Sequence, residues 1–117
     1  MIHDASRSYL HGFRTAPHPD HALADPLRLI EEAARTQAAF DRPLPPFFAP
    51  VGTRDPLLDD TRRLESALAR LEVPCEARYY PGGIHAFHAM VWDPAARRCW
   101  RDALAFLDRS CRVRPAR

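Results

Sequence analysis

Apolar and polar positions change rhythm along this chain. From Pro26 to about Phe40, Leu27, Ile30, Ala34 and Ala38 recur at helical spacing, Asp25 stands where an N-cap belongs and Pro26 suits the first helical position, so the pattern predicts an amphipathic helix. Pro43, Pro45 and Pro46 then end the helix and force an extended entry into the next segment. The run FFAPV, bounded by Pro46 and Gly52, predicts a short buried strand; Pro50 removes one ladder donor, which puts the strand near a sheet edge or at its end. Leu64, Ala67, Leu68 and Leu71 form the apolar face of a second helix about three turns long, with Asp59, Asp60 and Thr61 offering an N-cap and Pro74 a stop. CEARYY alternates Cys75, Ala77 and Tyr79 with Glu76 and Arg78, as a strand packed on one face does. Pro94 opens a last helix in which Trp100, Ala103, Leu104 and Leu107 fall at i, i+3, i+4 and i+7, ending near Asp108 and Arg109.

A strand, a crossover helix and a second strand of these lengths form a right-handed βαβ unit, so the strands should run parallel with their C-terminal ends on the same side. The predicted class is α/β, with a helical segment over 1–45 leading into the βαβ region over 46–117. Two parallel strands with helices cannot pair both sheet edges, so marginal stability or association through an exposed sheet edge is expected of the chain alone.

Composition excludes several classes. With 46% apolar and 27% charged residues in 117, the chain reads as one soluble globular domain with no long apolar stretch for a membrane span, and its first residues lack the pattern of a secretory signal; the expected compartment is the cytoplasm. Cys75, Cys99 and Cys111 are odd in number, widely spaced and free of any CxxC pair, which argues against a disulfide framework or a thiolate zinc site. Every one of the 17 basic residues is Arg, a residue suited to phosphates, yet 15 acids leave a net charge of only +2 and the arginines are scattered, so nucleic acid is not expected as a partner.

Candidate chemistry sits at the two predicted strand ends. VGTRDP places Asp55 just past a Gly turn after the first strand, and PGGIH places His85 likewise after the second. A carboxylate accepting from the imidazole Nδ1 fixes the tautomer and leaves Nε2 free to take a proton from a nucleophile. Gly82 and Gly83 would give the histidine loop its sharp turn by tolerating positive φ. A lone loop histidine is ordinarily just exposed and an aspartate before proline ordinarily shapes a turn; here Asp59 and Asp60 stand nearer the helix and leave Asp55 spare, which favours a pair. His85 with His88, and His18 with His21, make two HxxH pairs, but no Cys or carboxylate stands at a closing spacing, so no metal is expected.

The stretch LPPFFAPVGTRDPLLDDTRRLESALARLEVPCEARYYPGGIHAF resembles the C-terminal catalytic segment of the hormone-sensitive-lipase-like esterases of the α/β-hydrolase fold, a likeness covering residues 44 to about 109. In that family a D-P-L-x-D-D stretch carries the triad acid and a Y-P-G-x-x-H-x-F stretch the triad histidine; the resemblance therefore implies Asp55 as acid and His85 as base. Ala86 departs from the glycine that usually follows the histidine, which concerns the local loop geometry, and the N-terminal third resembles the family's cap and linker only weakly.

The family's serine sits in a G-x-S-x-G elbow and its oxyanion hole in an HGGG-type stretch. Here the glycines are Gly12, Gly52, Gly82 and Gly83, and none frames Ser6, Ser8, Ser66 or Ser110. The expectation is a partial α/β-hydrolase fold: the C-terminal part of a serine carboxylic-ester hydrolase, inactive alone, acting on a small-molecule ester once complete, with no cofactor, metal, nucleic acid or membrane. Alternatives are a non-catalytic remnant that serves as a binding or assembly partner, and a related peptidase or dienelactone-type hydrolase of the same fold.

Overall fold

A computed structural model describes residues 25–112. Its elements are helix α1 (Pro26–Thr36), strand β1 (Phe47–Gly52), helix α2 (Leu58–Arg70), strand β2 (Cys75–Tyr80), a 3₁₀ turn (Phe87–Ala89) and helix α3 (Pro94–Cys111). The N-terminal histidine pair, His18 and His21, lies outside the described residues.

Asp25 caps α1 by accepting from Arg28 N at 3.3 Å, as its position suggested. The helix stops at Thr36, four residues short of the expected end at Phe40. Gln37 turns left-handed at φ 55°, its Nε2 donates to Ala34 O and Thr36 Oγ1 donates to Glu32 O, so polar side chains satisfy the last carbonyls before the apolar spacing runs out.

The helix that crosses over between the strands begins at Leu58 with no capping side chain; Asp59, Asp60 and Thr61 lie within its first turn, where the two carboxylates face the positive end of the helix dipole. It also ends before Pro74. Glu72 adopts φ 57°, its N–H bonds Ala69 O and the Val73 N–H bonds Leu68 O, a Schellman closure built on a residue other than glycine. Its expected face is the one that packs: Leu68 is fully buried, Ala67 nearly so, and Leu64 and Leu71 are half-buried.

Among the described residues the sheet has two strands, paired parallel in the register Phe47–Cys75 through Gly52–Tyr80. Phe47 N donates to Pro74 O and Thr53 N to Tyr80 O, so odd-numbered residues of β1 turn their peptide groups toward β2 and even-numbered ones turn them away. The donor that Pro50 lacks is therefore missing from the outer edge of β1, where β2 has no use for it.

Helices cover both faces. On one, Tyr79 donates to Glu65 of α2; burial, then that bond, pushes its phenol up to about 12. On the other, Phe48 packs on Phe106 of α3 at 5.5 Å, Arg109 reaches Glu76 at 2.7 Å, and Tyr80 donates to Asp102 at 2.6 Å, held protonated by burial and by that carboxylate. Tyr80, Phe87 and Cys99 form the core there, backed by Met90 and Ala95. α1 lies on α2, where Arg63 grips Glu31 with two nitrogens at 2.6 and 2.7 Å.

α3 differs from the expectation. It runs to Cys111, two residues beyond Arg109, and Trp100, Leu104 and Leu107 face outward, 48%, 61% and 51% exposed. Small residues, Ala96 and Cys99, make the close contact with the core instead. The three cysteines are unpaired.

Candidate active site

Each candidate side chain leaves the C-terminal end of its strand, and the parallel pairing brings the two loops side by side. Gly52 and Gly83 make the approach possible. A Cβ on Gly52 would sit 2.0 Å from Gly83 O, and one on Gly83 would sit 3.0 Å from the Gly52 Cα. Of the glycine pair in the turn, only Gly82 has positive φ, at 74°; Gly83 is required by this backbone contact and not, as expected from sequence, by its own torsion angles.

Hydrogen bonds lace the loops together. Thr53 N and Gly83 N both donate to Tyr80 O, at 3.0 and 3.1 Å, Arg54 N donates to Gly83 O at 2.9 Å, and Gly82 N donates to the Thr53 hydroxyl at 2.8 Å. Two residues on from Thr53, and three on from Gly82, the chain places Asp55 and His85 in contact.

His85 Nδ1 lies 3.2 Å from Asp55 Oδ2 and 3.3 Å from Oδ1. An ionised carboxylate only accepts, so this contact uses a proton on Nδ1, and the neutral tautomer that carries it leaves the Nε2 lone pair free. The acid is shielded and the base is open: the Asp55 side chain is 8% exposed, that of His85 66%. Asp55 is not spare, however, because its Oδ1 also accepts from Leu57 N at 2.8 Å, an Asx turn leading into α2. The turn role and the histidine contact coexist, and the first holds the carboxylate for the second.

A cleft of about 220 Å³ adjoins the pair, walled by Val51, Leu57 and Phe87 among others. Its lining includes one hydroxyl, that of Thr61, which donates to Leu57 O at 3.2 Å and so is turned toward the backbone of its own helix. Ser66 lines a different groove, between α1 and α2 beside Ala34, and Ser110 is exposed on α3. His88 also borders the cleft, its ring 6.0 Å from that of Trp100. Among the described residues no group of three His, Cys, Asp or Glu could hold a metal, and no helix is long and apolar enough to cross a membrane.

Ala86 takes φ 57°, the left-handed region that costs a β-carbon strain. The position where this chain departs from the glycine of the resembled motif is thus one where the backbone asks for glycine. Thr53, and the close approach of Gly52 to Gly83, were missed from sequence; the signal available was the Gly-Thr pair directly at the strand end.

A family model described as the alpha/beta hydrolase fold matches residues 1–89, taking in the first 45 residues as well as both candidate side chains. No solved structure matches the chain.

Proposed function

Because the chain belongs to the alpha/beta hydrolase fold family, we propose that it is the acid-and-base portion of a serine carboxylic-ester hydrolase related to the hormone-sensitive-lipase-like esterases. The observation that carries this reading is the contact of a shielded Asp55 with an open His85 at the ends of adjacent parallel strands. The nucleophile comes from a segment outside this chain, in which no glycine pair frames a serine. Its serine hydroxyl attacks the acyl carbon while His85 Nε2 takes the proton, and the Asp55 carboxylate stabilises the imidazolium. His85 then returns the proton to the departing alcohol. In the second half-reaction it deprotonates the water that releases the acid, with no step that calls for a metal or cofactor. On this reading the chain by itself has no ester hydrolase activity.

The test is hydrolysis of a short acyl ester such as p-nitrophenyl acetate by the chain alone and by the protein extended with its in-frame upstream coding segment. We expect turnover only from the extended protein, and losses of roughly 10⁶-fold with His85→Ala and roughly 10⁴-fold with Asp55→Asn. Turnover that survives either substitution overturns the assignment. The lack of a free hydroxyl at the cleft among the described residues favours one second reading, a non-catalytic remnant retained for binding or assembly. An extension with no framed serine, or one that restores no turnover, supports that reading instead.

A further inference from the structure

We propose that Thr53 is a positioning residue for the Asp55–His85 pair, acting through its hydroxyl on the glycine turn. This rests on reading the pair as acid and base. Besides the Asp55–His85 contact itself, three hydrogen bonds join the two loops, and two of them, Thr53 N to Tyr80 O and Arg54 N to Gly83 O, are main-chain bonds that any non-proline residue could make. The third needs a side chain: Gly82 N donates to Thr53 Oγ1 at 2.8 Å.

That bond falls where the histidine loop is least supported. Pro81 and Gly82 are exposed, and Gly82 is at positive φ with open space where a side chain would be. Tyr80 in the core fixes the chain on one side of it and Gly83, buried against Gly52, on the other, so Pro81 and Gly82 are the free part of the turn. His85 follows on the exposed stretch between Gly83 and the buried Phe87. Its ring is largely exposed, its polar contacts among the described residues are the two to Asp55, and at 3.2 and 3.3 Å they are at the long end of a hydrogen bond. A shift of a few tenths of an ångström in the turn is therefore enough to part them. The hydroxyl of Thr53 sits two residues before Asp55 on one loop and holds the amide three residues before His85 on the other, so it ties acid and base to the same point.

The experiment is NMR on the ¹⁵N-labelled chain, without substrate. It compares Thr53→Val, which keeps the shape and removes the acceptor, with Thr53→Ser, which keeps the hydroxyl, and with Asp55→Asn. Hydrogen exchange at the Gly82 amide reports the clasp, and long-range ¹H–¹⁵N correlations of the neutral His85 ring report which nitrogen carries the proton. In the unaltered chain we expect the Gly82 amide to be protected and Nδ1 to be the protonated nitrogen. Thr53→Val should speed Gly82 exchange on the order of tenfold and raise the Nε2-protonated tautomer, while Thr53→Ser restores both. Asp55→Asn should alter the tautomer alone.

Wild-type tautomer populations in a folded Thr53→Val chain overturn the proposal. An unprotected Gly82 amide in the unaltered chain does so without any variant, which covers the case in which Thr53→Val fails to fold. If Asp55→Asn leaves the tautomer unmoved, the reading of the pair fails instead, and Gly82 exchange still decides whether the clasp exists.

Discussion

The loop that carries the base holds a residue in a conformation its side chain resists. Ala86 follows His85 at φ 57°, with a β-carbon crowding the following carbonyl. Glycine there relieves the strain but also loosens the unfolded chain, so Ala86→Gly should raise stability by a net of about 1 kcal/mol, read as a higher urea midpoint at unchanged slope. A midpoint that falls would mean that the methyl makes contacts worth more than the strain. At this scale the sequence was legible where chemistry follows from residue type: Asp55 and His85 stood at predicted strand ends, and the structure brings them together. What it hid were the demands of close approach. Gly83 looks like a second hinge in PGGIH, yet its role is to let Gly52 pass, a contact between positions 31 apart that no local pattern encodes. Thr53 escaped for the same reason, since its partner is on the other loop.

The elements were legible to within a few residues, and the misses share a cause. Apolar spacing tells how far a helix could run, whereas caps decide where it does: Gln37 and Glu72 close α1 and α2 before the pattern or the next proline would. Packing of α1 on α2 also depends on charge. The Arg63 guanidinium, by hydrogen bonding first and by its charge second, holds the Glu31 carboxyl below its usual range, opposed by partial burial. A carboxyl with a lowered folded-state pKa contributes stability that is fully present above its unfolded value and is lost as pH falls through the folded one. The contribution of this pair should therefore be present at pH 7 and fade below about pH 4.5. Both side chains are partly exposed, so it is worth about 0.5–1 kcal/mol. Urea denaturation of Glu31→Gln against the unaltered chain should show that gap at pH 7 and its closure by pH 3; a gap of equal size at both pH values would place the pair's contribution outside the ionised carboxylate.

For the whole molecule, the parallel two-stranded sheet that the described residues hold between α2 and α3 is a partial alpha/beta hydrolase fold, and the outer face of α3 carries exposed apolar groups. Trp100, Leu104 and Leu107 form a stripe along α3, with Val91 and Trp92 exposed ahead of it. The sequence announced this stripe by its i, i+3, i+4, i+7 spacing, but spacing says only that a face is apolar, not what it meets; here the small Ala96 and Cys99 took the inner position. Exposed stripes of this kind drive association. We expect the chain at tens of micromolar to sediment above its 13.3 kDa monomer mass and a Leu104→Glu, Leu107→Glu double variant to move back toward it; a monodisperse monomer before substitution would contradict this. Pro50 sets a different condition on growth of the sheet. A newcomer strand laid along the outer side of β1 would find handholds at Phe48 and Gly52 and a bare ring midway, so the seam would be weakest at its centre, and it is there that the assembled sheet would first come apart on warming.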